Sequence, residues 1–68
     1  MLKLHTTYKH TNNKDVAFIP LNLEKESADS LTFYGKWVNI VNVPHTIDYD
    51  EITIKTTDLQ HWKEYTQP

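Results

Sequence analysis

The sequence predicts a small, mainly β domain in which an antiparallel sheet is followed by a short C-terminal helix. Residues 2–9 and 51–56 alternate apolar and polar side chains, and a period of two is typical of strands with one face in water. Residues 31–43 are rich in aromatic and β-branched side chains, which favour strands. After residue 56 the apolar side chains lie three positions apart, a spacing that favours a helix. We expect four or five short strands.

A β-hairpin is predicted for residues 2–23. Its first strand begins at Leu2 and ends at the polar segment 11–15, where Asn and Asp favour a turn. The second strand begins at Val16. It contains Pro20, and because proline cannot donate a ladder hydrogen bond, we expect an edge position or a bulge there.

The third strand, residues 31–43, contains Gly35, the only glycine of the chain. A lone glycine inside a strand usually marks a bulge or a sharp bend. Phe33 before it and Val38 after it have opposite parity, so a one-residue bulge near Gly35 would turn both side chains towards the core. We therefore expect the sheet to curve at this point.

A helix is predicted for residues 58–65, directly after the fourth strand. Thr57 and Gln60 fit a capping box, in which the two side chains satisfy backbone N–H groups at the start of a helix. Leu59 and Trp62 lie three positions apart, on one face of this helix. A helix this short is marginal alone, so we expect it to pack on the sheet.

These elements fit a single small domain that comprises residues 1–68. Two architectures accommodate them. One is a small antiparallel curved sheet of four or five strands covered by the terminal helix, and the other is a partly open barrel similar to that of Src-homology-3 domains. The expected bend at Gly35 favours partial closure, and neither architecture implies a function by itself.

The chain is small for an independently stable domain. A chain of 68 residues buries only about 60% of the surface that it exposes when unfolded. The sequence contains no cysteine, so disulfides do not add stability. We therefore expect a homo-oligomer or a complex with another protein, which would bury additional surface.

Little in the composition supports an enzyme. One glycine and no cysteine exclude phosphate-cradling loops, thiol nucleophiles and zinc ribbons. Ser27 and Ser30 lack the glycine-flanked turn of an activated serine. Asp58, His61 and Glu64 have the spacing of one helical face, which is the ordinary pattern of a solvated helix. We expect a non-enzymatic protein without cofactor, metal ion or small-molecule substrate.

The sequence also predicts a soluble, cytoplasmic protein that does not enter a membrane. Its first residues do not form the apolar run of a signal peptide, and no stretch approaches the ~20 apolar residues of a membrane span. Lys, Asn, Ile, Tyr and Phe total 23 residues, whereas Gly, Ala, Arg and Pro total six. This bias follows AT-rich codons and is common in small phage genomes, so it hints at the origin of the chain.

Eight aromatic residues are more than a core of this size needs. If a bulge at Gly35 turns Phe33 and Val38 inwards, then Tyr34, Trp37 and Val41 face away from the core. A second partly apolar face of a sheet is usually covered by a helix, by a second copy or by a partner. We expect self-association as a homodimer through these three residues, and hence a protein-binding accessory protein.

Weak nucleic-acid binding is the alternative. Lys3 and Lys9 project from one face of the predicted first strand, and Lys14 lies in the turn that follows. Trp37 is suited to stack on a base if it is exposed. The net charge of −2 and the absence of Arg count against strong binding, since Arg is the usual bidentate partner of phosphate and guanine. Lysines are also common on edge strands, where they prevent aggregation.

Overall fold

The chain folds into one antiparallel sheet of five strands. The structure, a computed structural model, describes residues 2–66. Its elements in chain order are β1 (Tyr8–His10), β2 (Val16–Glu26), β3 (Ser30–Asn39), β4 (His45–Lys55), a 3-10 turn (Thr56–His61) and β5 (Trp62–Glu64). Hydrogen-bonded neighbours follow the order β4-β3-β2-β1-β5. The predicted mainly β, antiparallel architecture is confirmed.

The first strand is shorter than predicted. Only Tyr8–His10 pair with neighbouring strands, because the chain turns before them: His5 has a φ of 66°, in the left-handed region, which interrupts an extended strand. The His5 N–H donates a hydrogen bond to the Pro20 carbonyl at 2.7 Å. Leu2 is buried in the core, so the alternation in residues 2–9 reflects this anchored segment as well as the strand.

The hydrophobic core lies on one face of the sheet, called the inner face below. Its buried side chains are Leu2, Tyr8, Phe18, Leu31, Phe33 and Ile54. Tyr8 lies opposite Phe18, and Leu31 lies opposite Ile54. Residues that pair directly share a face of the sheet, so the strand register assigns each paired residue to the inner face or to the opposite, outer face.

The chain's only glycine meets β2 at a very close approach. Gly35 lies opposite Pro20, and a Cβ at Gly35 would lie 2.6 Å from the end of the Phe18 ring and 2.9 Å from the Pro20 Cα. The predicted bulge is not in β3, which runs in continuous register past Gly35. The register shifts instead on β2, at Leu21 and again at Glu24. The irregularity falls on the strand with the proline, because Pro20 cannot donate to the ladder.

This register corrects the expected orientation of Trp37. With β3 unbroken, Trp37 shares the inner face with Phe33 and lies opposite Phe18. Its ring packs edge-on against Phe18 at a centroid distance of 5.1 Å and at 6.3 Å from Trp62. Trp37 is therefore a partly buried residue at the margin of the core, and only Tyr34 faces outwards as expected.

A single 3-10 turn replaces the predicted C-terminal helix. It covers Thr56–His61 and has no side-chain cap at its start. Trp62 already belongs to β5, where it pairs with His10. Pairing with β1 requires extended backbone from Trp62 onwards, so a helix cannot continue. Leu59 still packs on the core, as the apolar spacing suggested.

The sheet is open, because its two edge strands do not pair with each other in the described part of the chain. Over residues 2–66, β4 and β5 form its two edges, and β5 pairs only with β1. The predicted partly open Src-homology-3-like barrel is therefore not confirmed, because the two edges do not exchange hydrogen bonds. The coarser expectation of a small antiparallel sheet describes this fold.

We expect Gly35→Ala to lower the free energy of unfolding by about 1–3 kcal/mol, the usual cost of overpacking. The added methyl group would collide with the backbone of Ile19 and with Phe18. Urea denaturation followed by tryptophan fluorescence measures the change. Ala28→Ser adds one heavy atom at an exposed turn residue and serves as the control. Equal stability of the two variants would show that the close approach at Gly35 is unimportant.

Candidate interaction surfaces

Exposed apolar side chains concentrate on one hairpin. Within residues 2–66, six large hydrophobic residues are exposed, and five of them belong to β3, β4 or the turn between them: Tyr34, Val41, Val43, Ile47 and Tyr49. We call these five the hairpin patch. The sixth, Leu4, lies in the segment before β1. A concentration of apolar surface on one element is typical of an interaction site.

The register of β3 and β4 explains the aromatic part of this patch. Tyr49 lies directly opposite Lys36, so both face outwards together with Tyr34. Tyr34 and Tyr49 are therefore diagonal neighbours across the two strands. Their rings stack at a centroid distance of 6.3 Å and an interplanar angle of 16°, and both remain exposed.

The end of the hairpin carries the aliphatic part. Val43, in the turn, is 76% exposed, and Ile47 is 51% exposed. The register shifts between the pairs Trp37–Asp48 and Val38–Thr46, which leaves Ile47 as the bulged residue of β4. Asn42 holds a left-handed φ of 62° in the turn, which asparagine tolerates. The tight turn and the bulge thus present Val43 and Ile47 at the surface.

The outer edge of β4 is protected against strand addition. Within residues 2–66, β4 has a neighbour on one side only, and residues 45–51 are exposed. The Asp48 carboxylate accepts a hydrogen bond from the Tyr49 N–H, and the Asp50 carboxylate accepts one from the Glu51 N–H, each at 2.8 Å. Acidic side chains that bind backbone N–H groups on an edge discourage another strand from pairing there. Contacts at this hairpin are therefore expected through side chains.

The structure separates the three residues of the predicted protein interface. Tyr34 is on the outer face, Trp37 is on the inner face, and Val41 is in the turn after β3. Tyr34 and Val41 join the hairpin patch, whereas Trp37 does not. Sequence reasoning missed Ile47 and Tyr49, although their alternation with Asp48 was a signal of a strand.

The predicted lysine face is also divided. Lys9 lies in β1, Lys3 lies in the segment before it, and Lys14 lies in the turn after it. Because β1 starts only at Tyr8, Lys3 and Lys9 do not share one strand. The outer face instead receives Lys9 together with lysines from the other four strands.

The two faces of the sheet carry opposite charge. All five lysines that have a ladder partner lie on the outer face: Lys9, Lys25, Lys36, Lys55 and Lys63. Four of the five acidic residues that have a ladder partner lie on the inner face: Glu26, Asp48, Asp50 and Glu64. Glu51 is the acidic residue paired on the outer face. The outer face is thus basic in a chain whose net charge is −2.

Two of these lysines face each other directly. Lys9 on β1 is the register partner of Lys63 on β5. Directly opposed side chains have Cβ atoms about 4.5–5.5 Å apart, and like charges in this position destabilise the sheet. The pair therefore costs folding free energy that a bound anion would restore.

Comparisons with known protein families, with curated proteins and with solved structures find no match for this chain.

A histidine–aspartate pair joins β1 to the 3-10 turn. The His10 Nδ1 accepts a hydrogen bond from the Asn12 N–H at 3.1 Å. The His10 Nε2 therefore carries the proton of the neutral ring and donates it to the Asp58 carboxylate at 3.2 Å. Both ring nitrogens are thus engaged in holding the fold, and neither is directed at a serine or threonine hydroxyl.

The three residues predicted to share one helical face, Asp58, His61 and Glu64, lie in two different elements. Asp58 and His61 lie in the 3-10 turn, and Glu64 lies in β5. Among residues 2–66, no group of three or more His, Cys, Asp or Glu side chains is placed to hold a metal ion. The described part of the chain also contains no helix of the length and apolar character needed to cross a membrane.

We expect Lys63→Glu to raise the free energy of unfolding by about 0.2–1 kcal/mol, because it converts the opposed Lys9–Lys63 pair into an attractive pair. Thermal or urea denaturation at low ionic strength measures the gain, which salt should reduce. Lys14→Glu makes the same charge change in the β1–β2 turn and is the control. A gain of the same size in Lys14→Glu would assign the effect to net charge.

Proposed function

We propose that this protein is a non-enzymatic binding domain that self-associates through the end of the β3–β4 hairpin. The observation that carries this proposal is that, of the six large hydrophobic residues exposed in the described part of the chain, five lie on that hairpin. The interface we propose is centred on Val41, Val43 and Ile47, and Tyr49 lies at its border. A second copy of the chain would cover these side chains.

The size of the domain supports this proposal. Its accessible surface is 4611 Å², and a partner in a standard protein–protein interface buries about 800 Å². The hairpin patch has five residues, fewer than the roughly 20–30 on each side of a standard interface, which favours a weak, reversible dimer with dissociation in the micromolar range. A hairpin end can meet its own copy around a two-fold axis, in which one patch serves both protomers.

Charge favours contact at the hairpin end over contact between whole sheet faces. If two outer faces packed together, the lysines of one copy would repel those of the other. The inner face is not free for a second copy, because the side chains of the core lie on it. At the edge of β4, the carboxylates of Asp48 and Asp50 bind backbone N–H groups. Pairing of two β4 edges is disfavoured, because these carboxylates would approach acidic residues of the second copy. Val43 and Ile47 carry no charge and meet neither obstacle.

We also propose that the open sheet curves towards a partly open Src-homology-3-like barrel. Support comes from the 3-10 turn, which connects the β4 edge to β5 and packs Leu59 on the inner-face core. This connection brings the two ends of the sheet towards each other without a shared ladder.

The test of self-association is sedimentation of the purified chain from about 1 to about 100 micromolar. We expect the wild type to change from monomer to dimer over this range. Ile47→Lys should weaken the dimer at least 10-fold, because each copy loses apolar contact and brings a positive charge to the two-fold axis.

Leu4→Lys is the matched control. Leu4 is 41% exposed and lies outside the hairpin, so this variant should dimerise as the wild type does. Circular dichroism should first show that both variants retain the β fold. A wild type that stays monomeric at the highest concentration, or equal loss in both variants, would refute the proposed interface.

A further inference from the structure

The outer face combines basic and aromatic side chains, of which Lys25, Lys55, Lys63, Tyr34 and Tyr49 are exposed and Lys9 and Lys36 are half-buried. Its lysines come from all five strands: Lys63, Lys9, Lys25, Lys36 and Lys55. The stacked pair Tyr34 and Tyr49 lies within the same face. We propose that this face binds single-stranded nucleic acid, with lysines on the phosphates and tyrosines stacked on unpaired bases.

The position of Lys36 beside the tyrosines supports this assignment. Lys36 lies opposite Tyr49 on β4 and two residues after Tyr34 on β3. A cationic side chain next to an exposed aromatic ring matches the repeating unit of a single strand, in which each base is attached to a phosphate. Stacking of bases on aromatic side chains, together with a basic surface, is the common basis of single-strand binding.

The opposed pair Lys9–Lys63 supports it independently. Two ammonium groups held across a ladder repel each other, and a phosphate placed between them would be attracted to both. The outward orientation of the pair leaves it available to a ligand. Phosphate binding at this position would therefore stabilise the fold as well as the complex.

A hydroxyl-lined groove lies at the far end of the same face. It has a volume of about 430 Å³ and is lined by Ser30, Thr53, Thr56 and Thr57, by Lys55 and by the acidic Asp29. Ser30 and Lys55 are register partners on the outer face. Serine and threonine hydroxyls commonly donate hydrogen bonds to phosphate oxygens, but the Asp29 carboxylate repels a phosphate here, so the phosphate contacts we propose are those of the lysines.

The chemistry of the face favours a single strand over a duplex. Reading a duplex in its major groove requires an inserted helix or a two-stranded ribbon, most often with arginine. The sequence contains no arginine, and over residues 2–66 the only helical element is the 3-10 turn. A sheet face with exposed tyrosines instead contacts the faces of unpaired bases, without strong sequence preference.

This site differs from the centre of the proposed dimer contact, and Tyr49 borders both. The lysines lie on the sheet face, whereas Ile47 and Val43 lie at the hairpin end. Ile47→Lys should therefore weaken dimerisation at least 10-fold without reducing nucleic-acid binding by the monomer. Failure of one proposal would leave the other to be judged by its own measurement.

The experiment is a fluorescence-anisotropy titration of labelled oligothymidylate of about 12 nucleotides, a length within the usual single-strand site size. Five neutralised phosphates predict a slope of about −3.5 in a plot of log K against log salt concentration. Affinity should thus fall roughly 100-fold between about 50 and about 200 mM salt. Absence of binding at about 50 mM salt would overturn the proposal.

Two double variants locate the site. Lys36→Gln with Lys63→Gln removes two outer-face charges and should reduce the magnitude of the salt slope by about 1.4. Lys3→Gln with Lys14→Gln removes two charges outside the ladder and should leave the slope within about 0.3 of the wild-type value. Equal changes of the salt slope in both double variants would show that binding depends on net charge alone. That result would overturn the proposal that the outer face is the binding site.

A tyrosine variant tests stacking. Tyr34→Leu should weaken oligothymidylate binding about 10-fold, while binding of heparin, which has charge but no bases, should stay unchanged. Equal loss for both polyanions, or no loss for the oligonucleotide, would contradict stacking on Tyr34. Tighter binding of a duplex than of the single strand would likewise reject the assignment.

Discussion

The close approach of β3 to β2 at Gly35 is the constraint on which the rest of the sheet depends. Phe18 and Pro20 occupy the space that any side chain at this position would take. Because β3 lies directly against them, its register stays continuous. The two unpaired residues of the β2–β3 ladder, Leu21 and Glu24, both lie on β2. The parity of β3 is thereby preserved along its whole length, and every side chain from Leu31 to Asn39 has a defined face.

That preserved parity produces the difference between the two faces. Phe33 and Trp37 enter the inner face, and Tyr34 and Lys36 are left on the outer one. β4 keeps the same alternation from Asp48 to Lys55, and its bulge at Ile47 lies before this stretch. The charge separation follows from the same geometry, because lysines stand at outward positions of all five strands. A bulge in β3 itself would have moved Lys36 to the inner face and Trp37 to the surface.

Local patterns in the sequence predict the strands well and their relative faces less well. Alternation located the strands around Phe18, Phe33 and Ile54, since burial on one face imposes a period of two. The orientation of Trp37 depended on where the bulge lies, and Gly35 with Pro20 did not reveal which of two paired strands is irregular. The capping-box pattern at Thr57 was overridden by the pairing of Trp62 with His10. The opposition of Lys9 and Lys63 was beyond local reasoning, because it depends on a register between distant segments.

The pairing of β1 with β5 also sets an order for folding. Strands β2, β3 and β4 form a meander of sequence neighbours, whose contacts close only short loops. β1 has a short ladder with β2 and needs residues 62–64 to complete its other side. Because closing a long loop is slow, the meander forms before this last pairing. During synthesis, the Phe18 ring therefore remains without its Trp62 neighbour until residues 62–64 have emerged from the ribosome.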